Sequence, residues 1–580
     1  MNMIVGCSRV ILFALMLFNF VCTPIQANEQ IKVNQIGFYP DGEKVAVIPG
    51  EVTGEFQVLD AQTEDTVFSG YVSEPAYWSY SDEHVVLADF SKFKEPGIYR
   101  IYHQDAETSF LFEIGEHIHR GLSKASIKAL YFNRASTGLP EEFAGKWARP
   151  EGHPDEEAII HPSAAYEERP AGYTFSSPRG WYDAGDFNKY IVNSGISTYT
   201  MLAAYEHFPG YYNELNLNIP ESGNNQPDLL DETRWNLDWM LTMQDPGDGG
   251  VYHKLTAPDF EPVIMPHQAD SERYAVKKST AATLNFAAVM ATAARVFEDI
   301  DADFADEALE AAEYAWQWAQ QNPEVYYDQA AMNEQYDPDI HTGAYGDFDV
   351  EDEFDWAAAE LYITTNNDDY WYSRNFQEAE TGVPDWAYVR PLAWISLAHH
   401  KENLTNAADR DVIRQRIIEQ GDELLEEYQN SAYGISMGLY GQDDFVWGSN
   451  GMAGNHSVML IQAYRIIGEQ QYLDAALSNL DYMLGRNATG YSFVTGHGSN
   501  TPMYPHHRQS ATDDNEEPVP GFVVGGPQNG WQDGCEYPSD LPAKSYLDDW
   551  CSYSTNEVAI NWNAPLIYVS GAIEHLFQSN

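Results

Sequence analysis

Two hydrophobic patterns divide the chain. Between residues 29 and 115, short runs rich in β-branched and aromatic residues, such as KVAVIPG, HVVLADF and GIYRIYH, alternate with Gly, Pro, Asp and Glu. Runs of this kind, bounded by turn residues, predict strands. Their recurrence over one short segment predicts an all-β sandwich module over residues 28–115.

From residue 118 onward the pattern changes to a helical period. GLSKASIKALYFNRAS, TAATLNFAAVMATAARVFED and ADEALEAAEYAWQWAQQ carry apolar residues at i, i+3, i+4 and i+7. About a dozen helices joined by loops predict helical hairpins closed into a ring over residues 118–580. The chain shows no internal sequence repeat, which disfavours an α-solenoid. The long loops 244–275 and 486–550 are the expected carriers of function.

The N-terminus has the features of a secretory signal peptide. Arg9 supplies the positive charge, VILFALMLFNFVC is the apolar stretch, and small residues offer a cleavage site after Ala27. The apolar stretch is too short to cross a bilayer comfortably. We therefore expect residues 1–27 to be removed and the mature chain to be secreted or periplasmic, not membrane-bound, and monomeric.

The chain is strongly acidic. It has 31 Lys and Arg against 89 Asp and Glu, a formal charge of −58, which becomes −59 when Arg9 leaves with the signal peptide. Such a surface repels nucleic acid and anionic lipid and suits a neutral or cationic substrate, or it keeps the protein soluble. Outside the signal peptide, Cys535 and Cys551 are the cysteines that could pair in an oxidising compartment.

Two acidic residues stand three apart in RGWYDAGDFNKYIVNSG, Asp183 and Asp186. They could be helix N-terminal charges, which stabilise a helix by roughly 0.3–1 kcal/mol. They could also form a site that activates water. The aromatic residues on both sides favour the second interpretation, because capping a helix does not need rings.

Glu557 in YSTNEVAI also allows two interpretations. Ser554-x-x-Glu557 before an apolar run matches a capping box. However, Asp548 and Tyr553 precede it, in a region that is rich in Trp and Gly.

A third group of polar residues, His506, His507 and Arg508, lies in TPMYPHHRQS. No further ligand with suitable spacing supports a metal site there. The alternatives are donors aimed at hydroxyls or a carboxylate, and a basic patch paired with the acidic surface.

Together these groups suggest glycoside hydrolysis. That reaction needs one carboxylate that activates water and one carboxylic acid that protonates the leaving oxygen, and it requires no cofactor. Aromatic side chains would hold the sugar rings. The sequence contains no G-x-S-x-G, P-loop, Rossmann glycine or H-E-x-x-H motif.

The chain resembles the family 9 glycoside hydrolases, a cellulase family, over nearly all of its mature length. GWYDAGDFNKYIVNSG is similar to the family's Asp-Ala-Gly-Asp segment, SFVTGHGSNTPMYPHHR to its His-containing signature, and YLDDWCSYSTNEVAINWNA to its Asp/Glu signature. IKVNQIGFYPDGEKVAVIPG is similar to the start of the immunoglobulin-like domain that precedes many members.

The resemblance implies an all-α (α/α)6 barrel after the β-sandwich, and an inverting mechanism. By position, Asp186 is the general base, Asp183 helps to hold the same water, and Glu557 is the general acid. The acid role requires a raised pKa.

Further roles follow from the same resemblance. His506 and Arg508 would bind sugar hydroxyls near the cleaved bond, and Asp548 would support the site. The other expected substrate contacts are aromatic or histidine side chains: Tyr252, His253, Trp356, Trp447 and Tyr553.

The potential metal ligands in this sequence differ from those of some family members. Some members carry a Cys/His zinc site before the Asp-Ala-Gly-Asp segment, but here WARPEGHPDEEAIIHPSAAY offers His153 and His161 and no cysteine, so we expect no zinc. Calcium stays open: YGDFDVEDE is rich in oxygen ligands without matching an EF-hand, and a solvated acidic loop is the plainer interpretation.

The sequence therefore predicts an exported, inverting hydrolase of β-1,4-glucosidic bonds, in cellulose, cellodextrins or related β-glucans. One alternative is an exo-acting hydrolase of glucosamine-containing, chitosan-type oligosaccharides on the same scaffold. Another is a non-catalytic carbohydrate-binding protein, which the presence of Asp186 and Glu557 disfavours.

Overall fold

The computed structural model of the protein describes residues 30–578; the predicted signal peptide, residues 1–27, lies outside the described residues. The N-terminal part is a β-sandwich of two sheets, with strand orders β1-β8-β7-β3-β4 and β2-β6-β5. Its strands are β1 Gly37–Phe38, β2 Val45–Pro49, β3 Glu55–Asp60, β4 Thr66–Tyr71, β5 Ala76–Trp78, β6 Glu83–Asp89, β7 Gly97–Tyr102 and β8 Phe112–Ile114.

Alternation within these strands builds the core of the sandwich. In β3, Phe56 and Val58 are buried while their neighbours reach the surface, as the two-residue period of a strand dictates. Phe38 packs edge-on against Phe90 and Phe112, with ring centroids 5.2 and 5.3 Å away.

The remainder is largely helical. Its helices are α1 Arg120–Phe132, α2 Glu141–Ala144, α3 Ile191–His207, α4 Pro209–Tyr212, α5 Asp228–Thr242, α6 Thr280–Phe297, α7 Ala302–Gln321, α8 Gln329–Asn333, α9 Glu351–Thr365, α10 Asp368–Tyr372, α11 Arg390–His400, α12 Arg410–Asn430, α13 Ser449–Ile467, α14 Gln470–Met483, α15 Arg508–Thr512, α16 Tyr553–Asn556 and α17 Ile560–Gln578.

The long helices are of two kinds. In α3 every residue from Ile191 to Ala204 is buried, so this helix has protein on all sides. In α7 the buried residues recur at helical spacing on one face, which is typical of an outer helix. The helices pack in succession: α17 on α3, α3 on α6, α6 on α9 and α9 on α11, with α13 also on α17.

Helix α6 is long and apolar enough to cross a membrane by composition, but 89% of it is buried inside the protein. It is therefore a core helix.

A small sheet inside the helical part was not anticipated from the sequence. It has the strand order β10-β9-β13-β12-β11. Its strands are two or three residues long: β9 Ala158–Ile160, β10 Thr174–Phe175, β11 Lys189–Tyr190, β12 Lys254–Thr256 and β13 Tyr274–Ala275. Strands this short carry almost no periodic signal. The edge strand β11 leads directly into α3 and fixes the segment that carries Asp183 and Asp186.

The sandwich and the helical part share a core. Trp78 at the end of β5 lies against Tyr433, with ring centroids 4.4 Å apart, and edge-on to Phe445 at 5.9 Å. On the same boundary, Asn34 donates a hydrogen bond of 2.7 Å to the buried carboxylate of Asp481. The β-domain is thus part of the structural support of the helical domain.

This shared core predicts that Trp78→Ala destabilises the whole protein. Trp78 is 4% exposed, and truncating a buried Trp costs about 3–5 kcal/mol through lost contacts and the cavity that remains. Thermal unfolding should show a lower Tm. As a control, Tyr71→Ala on β4, where the side chain is 81% exposed, should change stability by about 0.5 kcal/mol or less. An unchanged Tm for Trp78→Ala would contradict a shared core.

Candidate active site

Three distant segments meet through their backbones. The amide of Arg508 donates to the carbonyl of Gly185 at 3.1 Å, and the amide of His506 donates to Asn556 at 2.8 Å. A Cβ atom on Gly185 would lie 1.9 Å from the carbonyl oxygen of His506, so only glycine fits this position. The glycine between the two aspartates therefore allows the histidine loop to pack directly on the aspartate loop.

Asp186 is buried and is held by polar donors. The side-chain amide of Asn188 donates to its Oδ2 at 2.6 Å, and the hydroxyl of Tyr190 donates to the same oxygen at 3.1 Å. Donors of this kind stabilise a carboxylate and fix its orientation.

Asp183 lies in a different environment although it is only three residues away. The amide of Asn193, in the first turn of α3, donates to it at 2.6 Å, and the hydroxyl of Tyr345 donates at 2.8 Å. Burial, together with the charge of Asp186, raises the pKa of Asp183 to about 8. Asp183 therefore keeps a proton near neutral pH more readily than an ordinary aspartate does.

Glu557 extends toward the same loop. Glu557 is partly exposed, but desolvation of its carboxyl raises its pKa well above 4.5, and the negative charge of Asp186 raises it further. The guanidinium of Arg508 and the backbone N–H of Gly185 act in the opposite direction. The side chain of Glu557 thus reaches the residue between the two aspartates, and it has the raised pKa that a general acid requires.

Both capping interpretations are wrong. Helix α3 begins at Ile191 and has no acidic residue in its first turn, so Asp183 and Asp186 belong to the preceding loop. Glu557 follows the short helix α16 with an extended backbone, at φ −74° and ψ 157°, and α17 begins three residues later. Instead of capping a helix, the hydroxyl of Ser554 donates to Asp533.

His506 is held as a neutral acceptor. Its Nδ1 lies 2.7 Å from the carbonyl of Trp550, so Nδ1 carries the proton and Nε2 presents a lone pair. Burial lowers its pKa to about 4, so this arrangement persists near neutral pH. Its ring stacks on Trp550 with centroids 4.1 Å apart. His506 can therefore accept a hydrogen bond from a sugar hydroxyl, rather than donate one as the sequence interpretation supposed.

Arg508 and Asp548 mainly hold loops together. Arg508 donates through Nη1 to Gly185 at 2.8 Å and through Nε to the carbonyl of Glu261 at 2.9 Å. Asp548 accepts from the amides of Met503 and Tyr504 at 2.8 and 2.9 Å. Asp548 thus anchors the loop before His506. Its supporting role in catalysis and the sugar contact of Arg508 stay predictions.

Two of the expected aromatic contacts lie beside the site. Trp447 is 41% exposed, and its ring centroid is 5.3 Å from that of Tyr553. Tyr553 lies 5.8 Å from His506. Trp447, Tyr553 and His506 are thus successive neighbours.

The structure corrects three other expected contacts. Trp356 is fully buried in α9, and its indole N–H donates to Glu360. Tyr252 is fully buried, with its hydroxyl on Asp245. His253 is fully buried too, and both of its ring nitrogens are engaged within the protein, at 2.8 Å each. None of the three presents a surface to a sugar in this structure; they are core residues.

An ion-pair group behind the aspartate loop was missed by the sequence analysis. Lys189 lies between the two residues that hold Asp186, and its Nζ is 2.8 Å from the buried carboxylate of Asp155. Arg273 pairs with the same carboxylate at 3.4 Å and donates to the carbonyl of Phe187 at 2.6 Å. Asp155 thus braces the loop from two sides.

Tyr345 was also missed, for a different reason. It opens the segment YGDFDVEDE, where the acidic residues drew attention to cation binding. Only the tertiary structure brings its hydroxyl to Asp183.

The histidines considered for zinc have protein partners. Nδ1 of His153 lies 2.9 Å from the hydroxyl of Tyr182, and Nε2 of His161 lies 3.0 Å from the carbonyl of Pro338.

A different cluster, Glu206 with His399 and His400, brings its ligand atoms within 4.8 Å of one another. Arg295 donates to Glu206 at 2.8 Å and Arg465 donates to His399 at 2.7 Å. Because guanidinium groups engage these ligand atoms, the cluster is an ion-pair network and not a metal centre.

Comparison with known proteins identifies the family. The model of glycosyl hydrolase family 9 matches residues 120–570, and the cellulase N-terminal ig-like domain matches residues 26–108. The chain therefore belongs to glycoside hydrolase family 9 and is a glycoside hydrolase with an N-terminal immunoglobulin-like domain.

Individual relatives are similar over nearly the whole chain. The chain is 44% identical over 571 residues to a xyloglucan-specific endo-beta-1,4-glucanase, BoGH9A, of Bacteroides ovatus, covering 96% of each chain. It is 32% identical over 553 residues to endoglucanase D of Acetivibrio thermocellus, covering 94% of this chain and 83% of the relative. The solved structure of a Bacteroides ovatus GH9 protein superposes with a TM-score of 0.89 at 42% identity, covering 94% of this chain and 99% of that one.

The raised pKa of Glu557 predicts the alkaline limb of the pH–rate profile. The protonated acid persists as the pH rises and is lost once the pH passes its pKa, so hydrolysis should decline there. Arg508 lowers that pKa, so Arg508→Met should move the alkaline limb to higher pH even if kcat also falls. The measurement is kcat/KM against pH for both proteins. A limb that does not move would contradict the assignment to Glu557.

Proposed function

We propose that the protein is an inverting endo-acting hydrolase of β-1,4-glucans, with Asp186 as general base and Glu557 as general acid. The observation that carries the proposal is the contrast between the two carboxyl groups. Asp186 is buried and held by donors from Asn188 and Tyr190, whereas Glu557 is partly exposed and has a raised pKa at the same loop. Glycoside hydrolysis needs one carboxyl group of each kind. The names of both relatives, a xyloglucan-specific endo-beta-1,4-glucanase and an endoglucanase, support the choice of β-1,4-glucan as the substrate.

In this mechanism Asp186 takes a proton from a water molecule as the water oxygen bonds to the anomeric carbon. Glu557 gives its proton to the glycosidic oxygen as the bond from that oxygen to the anomeric carbon breaks. Attack from the opposite face inverts the configuration, and it requires the two carboxyl groups to lie about 6.5–9.5 Å apart. Nε2 of His506 accepts a hydrogen bond from a sugar hydroxyl, and Asp183, which holds its proton, fixes the water from the side.

The helical domain is, in this proposal, an (α/α)6 barrel. Helices α3, α6, α9, α11, α13 and α17 form the inner ring, and α1, α5, α7, α10, α12 and α14 the outer ring. The all-round burial of α3 and the contacts between successive helices support this arrangement. The N-terminal end of α3 then lies at the mouth of the barrel, with the aspartate loop directly before it.

Xyloglucan is the substrate to test first among the β-1,4-glucans, because it is the one for which the relative at 44% identity is named. The name of neither relative refers to a glucosamine substrate. Only the acidic surface of the protein would favour the chitosan-type alternative.

The protein acts, we further propose, as a secreted or periplasmic monomer. The predicted signal peptide supports export. The disulfide between Cys535 and Cys551, whose Cα atoms are 6.2 Å apart, suits an oxidising compartment.

The mechanism predicts that Asp186→Asn and Glu557→Gln each reduce kcat by at least about 10²- to 10⁴-fold, because each removes one half of the general acid–base pair. Activity is measured on xyloglucan and on cellopentaose, and NMR of the first product should show the α-anomer in the wild type. Unchanged Tm values serve as the folding control. Ordinary activity in either variant, or a β-anomeric first product, would refute the assignment.

The acidic segment after Tyr345 is not the solvated loop expected from the sequence, because Asp347, Asp352 and Glu353 are buried. Their carboxyl groups have partners within the protein: Asp349 donates to Asp347, Val389 donates to Asp352, and the side chains of Asp352 and Glu353 hydrogen-bond each other. A structural calcium ion here therefore stays a prediction from the sequence, and no part of the proposed mechanism depends on it.

A further inference from the structure

The loop that precedes the catalytic glutamate carries an aromatic residue for which the mechanism has no use. Trp531 is 41% exposed, although indole is among the side chains that gain most from burial. Its backbone is in the left-handed region, at φ 49°, which costs a residue with a Cβ roughly 1–2 kcal/mol. Such a conformation persists only where the surroundings hold it, and it is a reason to look for function.

Several contacts hold Trp531 in place. Its indole N–H donates to the hydroxyl of Ser545 at 2.8 Å. The ring of Tyr537 lies nearly parallel to it, at an interplanar angle of 22° and a centroid distance of 6.4 Å. The hydroxyl of Tyr537 donates to Asp533 at 2.6 Å. The Cys535–Cys551 disulfide closes the segment from residue 535 to residue 551, which includes Tyr537 and Ser545. The exposed indole is therefore fixed by its loop.

This loop is joined to the aromatic residues beside the active site. The hydroxyl of Tyr553 donates to the carbonyl of Gln532, the residue next to Trp531, at 2.7 Å. Tyr553 in turn contacts Trp447 and lies beside His506. The loop that carries Trp531 is thus tied to the aromatic residues beside His506 through the backbone of Gln532.

We propose that Trp531 is an outer binding subsite for the glucan chain, beyond the sugars at the cleaved bond. The inference rests on the proposed function and deepens it, since the substrate becomes a chain long enough to reach from Glu557 across Tyr553 to Trp531. A pyranose ring has apolar C–H faces that pack on an indole, and an uncharged polysaccharide tolerates the acidic surface. Because the indole is held in place before binding, stacking a sugar on it costs little ordering of the protein.

The test compares long and short substrates. In Trp531→Ala, KM for xyloglucan and for mixed-linkage β-glucan polymer should rise about three- to tenfold, which corresponds to the loss of one ring contact. kcat on the polymers and kcat/KM on cellotriose, which is too short to reach Trp531, should stay within about twofold of the wild type. Trp531→Phe, which keeps a ring, should retain most of the affinity for polymer.

The controls separate this inference from simpler explanations. Tyr71→Ala removes an exposed ring from the distant sandwich and should change neither KM. Circular dichroism of Trp531→Ala should match the wild type and its Tm should fall only slightly, because the truncation removes the contacts with Ser545 and Tyr537 but no core residue. Equal loss on cellotriose and polymer would mean that Trp531 only supports the active site, and no change on polymer would mean that it binds no sugar; either result overturns the inference while the proposed function stands. Absence of hydrolysis of every β-1,4-glucan by the wild type would instead refute the proposed function.

Discussion

The contact between the backbone at Gly185 and the carbonyl of His506 is the constraint on which the active site depends. A Cβ atom at position 185 would lie 1.9 Å from that oxygen, so any other residue would force the two loops apart. Their separation would also break the hydrogen bonds from Arg508 to Gly185 and move His506 and Glu557 together away from Asp186, since His506 is paired with the strand-like segment that carries the glutamate. One missing side chain thus sets the relative position of Asp186, Glu557 and His506.

Rigid supports surround this contact on every side. Asp155 braces the aspartate loop through Lys189 and Arg273, and Asp548 fixes the loop before His506. Buried charges of this kind cost desolvation energy and contribute little net stability, but removing one partner leaves the other uncompensated. Their contribution here is orientation: the carboxyl groups are held by structure that exists before any substrate binds, which is what positioning in catalysis requires.

The sequence was informative where chemistry is concentrated in short motifs. The resemblance of three short motifs to a known family predicted that Asp183, Asp186, His506 and Glu557 share one site, and the structure brings their loops together while their roles stay predictions. The burial of Trp356 could not, because α9 is buried on all sides and its periodicity does not indicate which face points toward the cleft. Tyr345 and Asp155 were missed for a related reason: each acts through one contact made far along the chain. The capping interpretations failed because a local pattern such as Ser-x-x-Glu fits several backbone conformations, and tertiary contacts selected an extended one at Glu557.

The division of roles between the carboxyl groups follows from their surroundings and not from residue type. Asp183 and Asp186 are the same residue three positions apart, yet Asp183 lies where burial and its neighbour's charge raise its pKa to about 8. If both were ionised, their repulsion would add to the cost of burying them, and a proton retained on Asp183 removes that repulsion. The same neighbour acts on the glutamate, since Asp186 also raises the pKa of Glu557. In the proposed mechanism, a substitution at Asp186 would therefore change the protonation of Asp183 and Glu557 as well as remove the proposed base.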